Sequence, residues 1–216
     1  MTSRFPSLRP TVPLLALAVA LVVAGCDPTP PPPGMERGAE LFESCVPCHG
    51  EGAVGNPDIA APAIAGLPQW YIQEQLEGFQ AGFRGRHAED IPGLRMRPMA
   101  ITLNRDGDIE SIAEYVSSLP PVYPESTLPG NAGAGAASYT VCVTCHGADG
   151  LGDPNLHSPP IVQLDDWYLF NQLRNFRSGA RGARPGDVWG STMRPNTLAM
   201  DDQAMLNVIA YVQTLR

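Results

Sequence analysis

Four of the five cysteines in the 216-residue chain stand in a repeated pattern, CVPCH at 45–49 and CVTCH at 142–146. Two thiols two residues apart can form a redox dithiol, supply half of a zinc knuckle, or add to the two vinyl groups of a haem as thioethers. A thioredoxin-like dithiol is expected beside a strand–helix pattern and gives the histidine no role; neither copy has that setting. Structural zinc takes four ligands, with cysteine pairs roughly 15–20 residues apart, whereas these pairs lie 97 apart. C-x-x-C-H is the signature of covalent c-type haem attachment, in which the histidine gives the iron an imidazole nitrogen. Cys45, Cys48, Cys142 and Cys145 are read as thioether anchors of two haem c groups, and His49 and His146 as axial ligands.

An iron held by one histidine has a sixth position. Met96 and Met193 each follow the motif histidine by 47 residues, a spacing that no other methionine repeats. A thioether opposite an imidazole favours Fe(II) and fills the coordination sphere, which suits the passing of single electrons. Pro62 and Pro159 each follow the histidine by 13 residues, where a carbonyl can accept the imidazole N–H. Arg84 and Arg181, also matched, can pair with haem propionates. His87 and His157 match Arg184 and Ala60 and are expected to be ordinary surface or loop histidines.

The segments that must position these residues are duplicated. Residues 38–103 and 135–200 agree at 25 of 66 ungapped positions. The matches include the Trp-Tyr pairs at 70–71 and 167–168 and the Met-Arg-Pro runs at 96–98 and 193–195. Domains are expected at 35–119 and 134–216, joined by a Pro- and Gly-containing linker at 120–133. Apolar spacing predicts three helices in each, over about 35–43, 68–83 and 107–119, then 134–140, 167–176 and 202–215. Pro68 suits a first turn, and Asp165 or Asp166 a cap. No run demands a strand, so the fold class is all-α. Units of this size have thin cores, which a bulky apolar group would complete.

Before these domains, residues 1–25 carry Arg4, Arg9 and an apolar run over 12–24. That run is shorter than the about 20 residues a membrane-crossing helix needs and fits an export signal. It ends in VAGC, which resembles a lipobox and would make Cys26 a lipid anchor; the proline-rich stretch at 26–34 then acts as a tether. The net charge is −8 and all 14 basic residues are Arg, with no basic run, which leaves no footprint for nucleic acid.

CVPCHG with CVTCHG, WYIQEQLEGFQAGFRG with WYLFNQLRNFRSGARG, and the closing IAEYVSSL and IAYVQTL make the chain resemble dihaem cytochromes c of the c4 type. The resemblance covers residues 35–216 and implies two tandem class I cytochrome c domains whose haems lie close across the domain interface. It also implies periplasmic electron transfer with a membrane-bound respiratory complex. An enzyme such as a dihaem peroxidase or a thiosulfate-oxidising cytochrome, and a fixed cytochrome subunit of a membrane oxidoreductase, are the alternatives. The first unit holds 6 Arg against 13 acidic residues and the second 6 against 7. Long-range attraction should therefore bring the first unit to a positively charged partner surface. Electron-transfer rates with such a partner should fall as ionic strength rises; stopped-flow rates indifferent to salt would sink this orientation.

Overall fold

The computed structural model describes residues 30–216. The expected export signal, the lipobox-like run and Cys26 lie outside the described residues. Five helices build the first repeat: α1 (Met35–Phe42), α2 (Val46–His49), α3 (Gln69–Ala81), α4 (Ile91–Thr102) and α5 (Asp108–Ser118). Five equivalent helices build the second: α6 (Ala132–Ser138), α7 (Val143–His146), α8 (Asp166–Ser178), α9 (Val188–Met193) and α10 (Asp202–Gln213). Among the described residues the only β features are two isolated bridges, Asn56 with Ala61 and Asp153 with Ser158. No helix among them is long and apolar enough to cross a membrane.

Each repeat is closed by its first helix crossing its last. Gly38 of α1 meets Ser111 and Tyr115 of α5; a Cβ there would lie 2.1 Å from the Ser111 carbonyl oxygen. Gly135 of α6 meets α10 in the same way, 1.9 Å from the Asn207 carbonyl oxygen. Beside each crossing an aromatic pair is tilted together, Phe42 on Tyr115 at 5.5 Å and Tyr139 on Tyr211 at 5.3 Å. In the first repeat a buried ion pair adds to the crossing, Arg37 Nη2 to Asp108 Oδ1 at 2.9 Å.

The helices α4 and α9 depart from the sequence expectation of three helices per repeat, as do the one-turn helices at the motifs. Pro92, Gly93 and Pro98 give α4 poor intrinsic propensity and hide it from periodicity. It forms because Asp90 caps it through Gly93 N–H at 3.1 Å and because it packs on α3. Asp187 does the same for α9 through Gly190 N–H at 3.0 Å. After Met193 the backbone tightens into a 3-10 turn over Arg194–Thr197.

A second departure concerns α8. Asp165 occupies its N-cap position without a side-chain cap bond, while Asp166 accepts from the Trp167 N–H at 2.6 Å. The Asp166 carboxylate turns back to the linker and accepts from Leu128 N–H at 2.6 Å and the Thr127 hydroxyl at 3.0 Å. The linker is thereby strapped to the second repeat, and the Arg216 guanidinium adds bonds to the Val162 and Leu164 carbonyls below it. The apolar side chains of both repeats run into one cluster, from Phe42, Leu76 and Val116 to Leu169, Val208 and Val212.

Replacing Gly38 by Ala should cost about 1–3 kcal/mol of folding free energy, because the clash is with backbone that cannot rotate away. Denaturant unfolding of the purified protein checks this; a loss under 0.5 kcal/mol (roughly the size of an ordinary surface change) would show that the crossing yields.

Candidate functional site

Both CxxCH motifs coil into a single helical turn. In the first, Cys45 sits at the N-cap of α2, His49 N–H bonds the Cys45 carbonyl at 2.9 Å, and Gly50 at φ 77° ends the turn. The second repeats this at Cys142, His146 and Gly147. All four thiols are free. Burial pushes the Cys45 and Cys142 thiols up from their ordinary values, the reverse of what an activated dithiol needs. Among the described residues no three His, Cys, Asp or Glu side chains are grouped to hold a bare metal ion.

The histidines are oriented by the backbone. His49 Nδ1 lies 2.8 Å from the Pro62 carbonyl oxygen, and His146 Nδ1 lies 3.0 Å from that of Pro159. A carbonyl only accepts, so Nδ1 carries the proton and Nε2 keeps a free lone pair. Burial lowers both imidazoles' pKa from the ordinary value, opposed by the carbonyl bonds. Each ring is therefore a neutral donor with one coordinating nitrogen.

His146 and Met193 line one cavity of about 600 Å³, together with Cys142 and Cys145 and with Arg84 of the first repeat. Its walls are mostly apolar, among them Leu164, Leu169, Phe176, Val208 and Val212, with Glu74, Arg84 and Arg181 also lining it. The volume is in the range of cofactor sites. In the first repeat Met96 lies on α4, half-buried against the core cluster that also takes in Cys45.

Arg84 and Arg181 meet at the seam between the repeats. Arg84 Nη1 donates to Gln75 Oε1 at 2.8 Å and Arg181 Nη1 to Gln172 Oε1 at 2.8 Å. The second nitrogens cross over, Arg84 to Gln172 at 3.2 Å and Arg181 to Gln75 at 3.1 Å. Arg84 also donates to the Tyr168 hydroxyl, and the guanidiniums lie over Phe79 and Phe176 at 4.3 and 4.4 Å. Neither makes an ion pair with a carboxylate of the described residues, and Arg84 Nε is buried with no partner. Burial, with the neighbouring Arg84 charge, pushes Arg181 down. A buried and a half-buried guanidinium, neither ion-paired with a carboxylate, line the cavity, and this fits a group that brings carboxylates, as haem does.

Gln75 and Gln172 were visible in the sequence only as repeat matches; nothing there marks them as bridges. His157, expected to be an ordinary surface or loop residue, is half-buried instead. It pairs with Glu74 of the first repeat and stacks on Trp189 at 3.9 Å. His87 is exposed.

A sequence profile of the Cytochrome c family matches residues 35–120 and again 132–216. The thiosulfate dehydrogenase electron acceptor of Thiomonas intermedia strain K12 is 30% identical over 155 residues, spanning 66% of each chain. Cytochrome c4 of Azotobacter vinelandii is 26% identical over 182 residues, 79% of this chain and 84% of that one. The crystal structure of reduced cytochrome c4 from Pseudomonas stutzeri shares the fold, with a TM-score of 0.65 at 24% identity, covering 86% of this chain and all of that one.

Exchanging Cys45 and Cys48 together for Ala should leave one covalently bound haem per chain instead of two, read by intact mass. Two haems surviving that change would remove the first motif from attachment.

Proposed function

The chain belongs to the cytochrome c family as a dihaem, c4-like electron-transfer protein with two covalently bound haem c groups, and we propose that it carries electrons from a dehydrogenase to a membrane-bound respiratory complex. Haem c, when bound, supplies an iron that changes charge by one electron. In this reading Cys45 and Cys48, and Cys142 and Cys145, would anchor the two groups. His49 with Met96, and His146 with Met193, would hold the irons. Arg84 and Arg181 would pair with the propionates. The observation that carries the assignment is the placing of His146 and Met193 in one apolar cavity with both cysteines of the motif.

The residues' own chemistry supports a carrier. The Pro62 and Pro159 carbonyls hold each imidazole with Nε2 free and its orientation set. A thioether donor raises the potential and, with the imidazole, leaves no position for peroxide or dioxygen. The mostly apolar lining of the cavity limits the solvent that must reorganise when charge moves. A relative named as the electron acceptor of thiosulfate dehydrogenase makes a sulfur-compound dehydrogenase the leading candidate for the donor. The export signal and the lipobox at Cys26 support a periplasmic protein held to a bacterial membrane by lipid.

Redox titration followed by absorbance, with haem counted per chain, tests this. Two low-spin haems with a methionine–iron charge-transfer band in the red are expected, and Met193→Ala should remove that band from one of them. A high-spin haem in the resting wild type would point to an enzyme instead.

A further inference from the structure

The peptide unit joining Pro62 to Ala63 is held from both ends. Its carbonyl accepts from His49 Nδ1 at 2.8 Å, and its N–H donates to Asp165 Oδ2 at 2.9 Å, a buried bond between the repeats. Asp165 stands where a carboxylate ordinarily accepts a backbone N–H of its own helix, but it makes no such cap bond. It is 7% exposed. A peptide group is a polarisable dipole, and hydrogen bonds in series strengthen one another where the dielectric is low. A carboxylate on the N–H increases the electron density on the carbonyl oxygen. The oxygen then draws the Nδ1 proton more strongly, and the ring becomes a better donor at Nε2.

The second repeat has neither part of this chain. Its carbonyl, from Pro159, accepts His146 at 3.0 Å, but the next residue is Pro160, which has no N–H to offer. The position matching Asp165 is Pro68. One exchange at 63 against 160 and another at 68 against 165 thus make two otherwise equivalent histidines unequal.

We propose that Asp165, acting across the repeat interface through the Pro62–Ala63 peptide, is a positioning residue for His49 that lowers the reduction potential of the first haem below that of the same site without the carboxylate. The inference rests on His49 being the axial ligand in the first repeat. A more basic axial imidazole stabilises Fe(III), which sets the sign. The second repeat thus tunes the first, and a lone first domain would lack this control.

The test is spectroelectrochemical titration of the intact dihaem protein carrying Asp165→Asn, which keeps an oxygen for Ala63 N–H and removes the charge. One of the two couples should shift toward the reduced form by about tenfold, ~59 mV for one electron, with the other unmoved. In the reduced protein the His49 Nδ1 proton should move upfield in NMR and exchange faster. Ala63→Pro, which keeps the charge and breaks the bridge, should shift the same couple in the same direction. Pro160→Ala, an N–H without a carboxylate, should shift neither. Unchanged couples, or equal shifts of both, in Asp165→Asn would overturn the proposal. A shift in Asp165→Asn with Ala63→Pro silent would overturn the route through the peptide and leave only through-space charge. If Ala63→Pro does not fold, an unmoved His49 proton in Asp165→Asn overturns that route equally. A low-spin spectrum of both haems surviving His49→Gln would instead break the ligand assignment, whatever Asp165 does.

Discussion

Two guanidiniums sharing two amide oxygens in a buried seam set the terms for the rest of the molecule. Arg84 and Arg181 each use both glutamines, one from each repeat, so neither repeat satisfies its own arginine alone. Glutamine oxygens have two acceptor sites each, and both are spent here on cations. The hydrogen bonds are complete enough to hold the geometry, but the charge is not neutralised. Asp90 and Asp187 act on these charges only through space, and the adjoining cavity has room for a closer counter-charge. Under the proposed pairing of these arginines with haem propionates, docking of the repeats and occupancy of the haem sites become one problem.

Around that seam the duplication is strict in the skeleton and loose at the edges. The helix crossings at Gly38 and Gly135, the aromatic pairs and the carbonyls above the histidines recur almost unchanged. The residues facing across the interface do not. Glu74 meets His157 on one side, while the matching positions are Asn171 and Ala60. Trp189, stacked on His157, matches Pro92. Equivalent cores with unequal contacts are how a duplicated carrier can give its two sites different properties without a different fold.

The parts of the fold hidden from the sequence were those whose stability is not local. The helix α4 contains Pro92, Gly93 and Pro98, and on propensity it would not be drawn. One cap at Asp90 and packing on α3 outweigh that. Asp165 and Asp166 read as a helix cap because caps are local, whereas Asp165 bonds a residue 102 positions away and Asp166 also reaches one 38 away. His157 reads as a surface residue because its partner, Glu74, is 83 residues off in the other repeat.

By itself the amino-acid sequence determined the chemistry: covalent two-point attachment, a histidine behind it, a methionine at constant distance, and two copies of the whole. Those are spacing rules within a short stretch or a repeat, and one chain is enough to see them. Only the tertiary structure decided that both arginines share both glutamines, and that a carboxylate of the second repeat bonds the Ala63 N–H, on the peptide whose carbonyl holds the first repeat's histidine. These are contacts between residues far apart in the chain, made possible by the closing of one repeat on the other, and no periodicity records them.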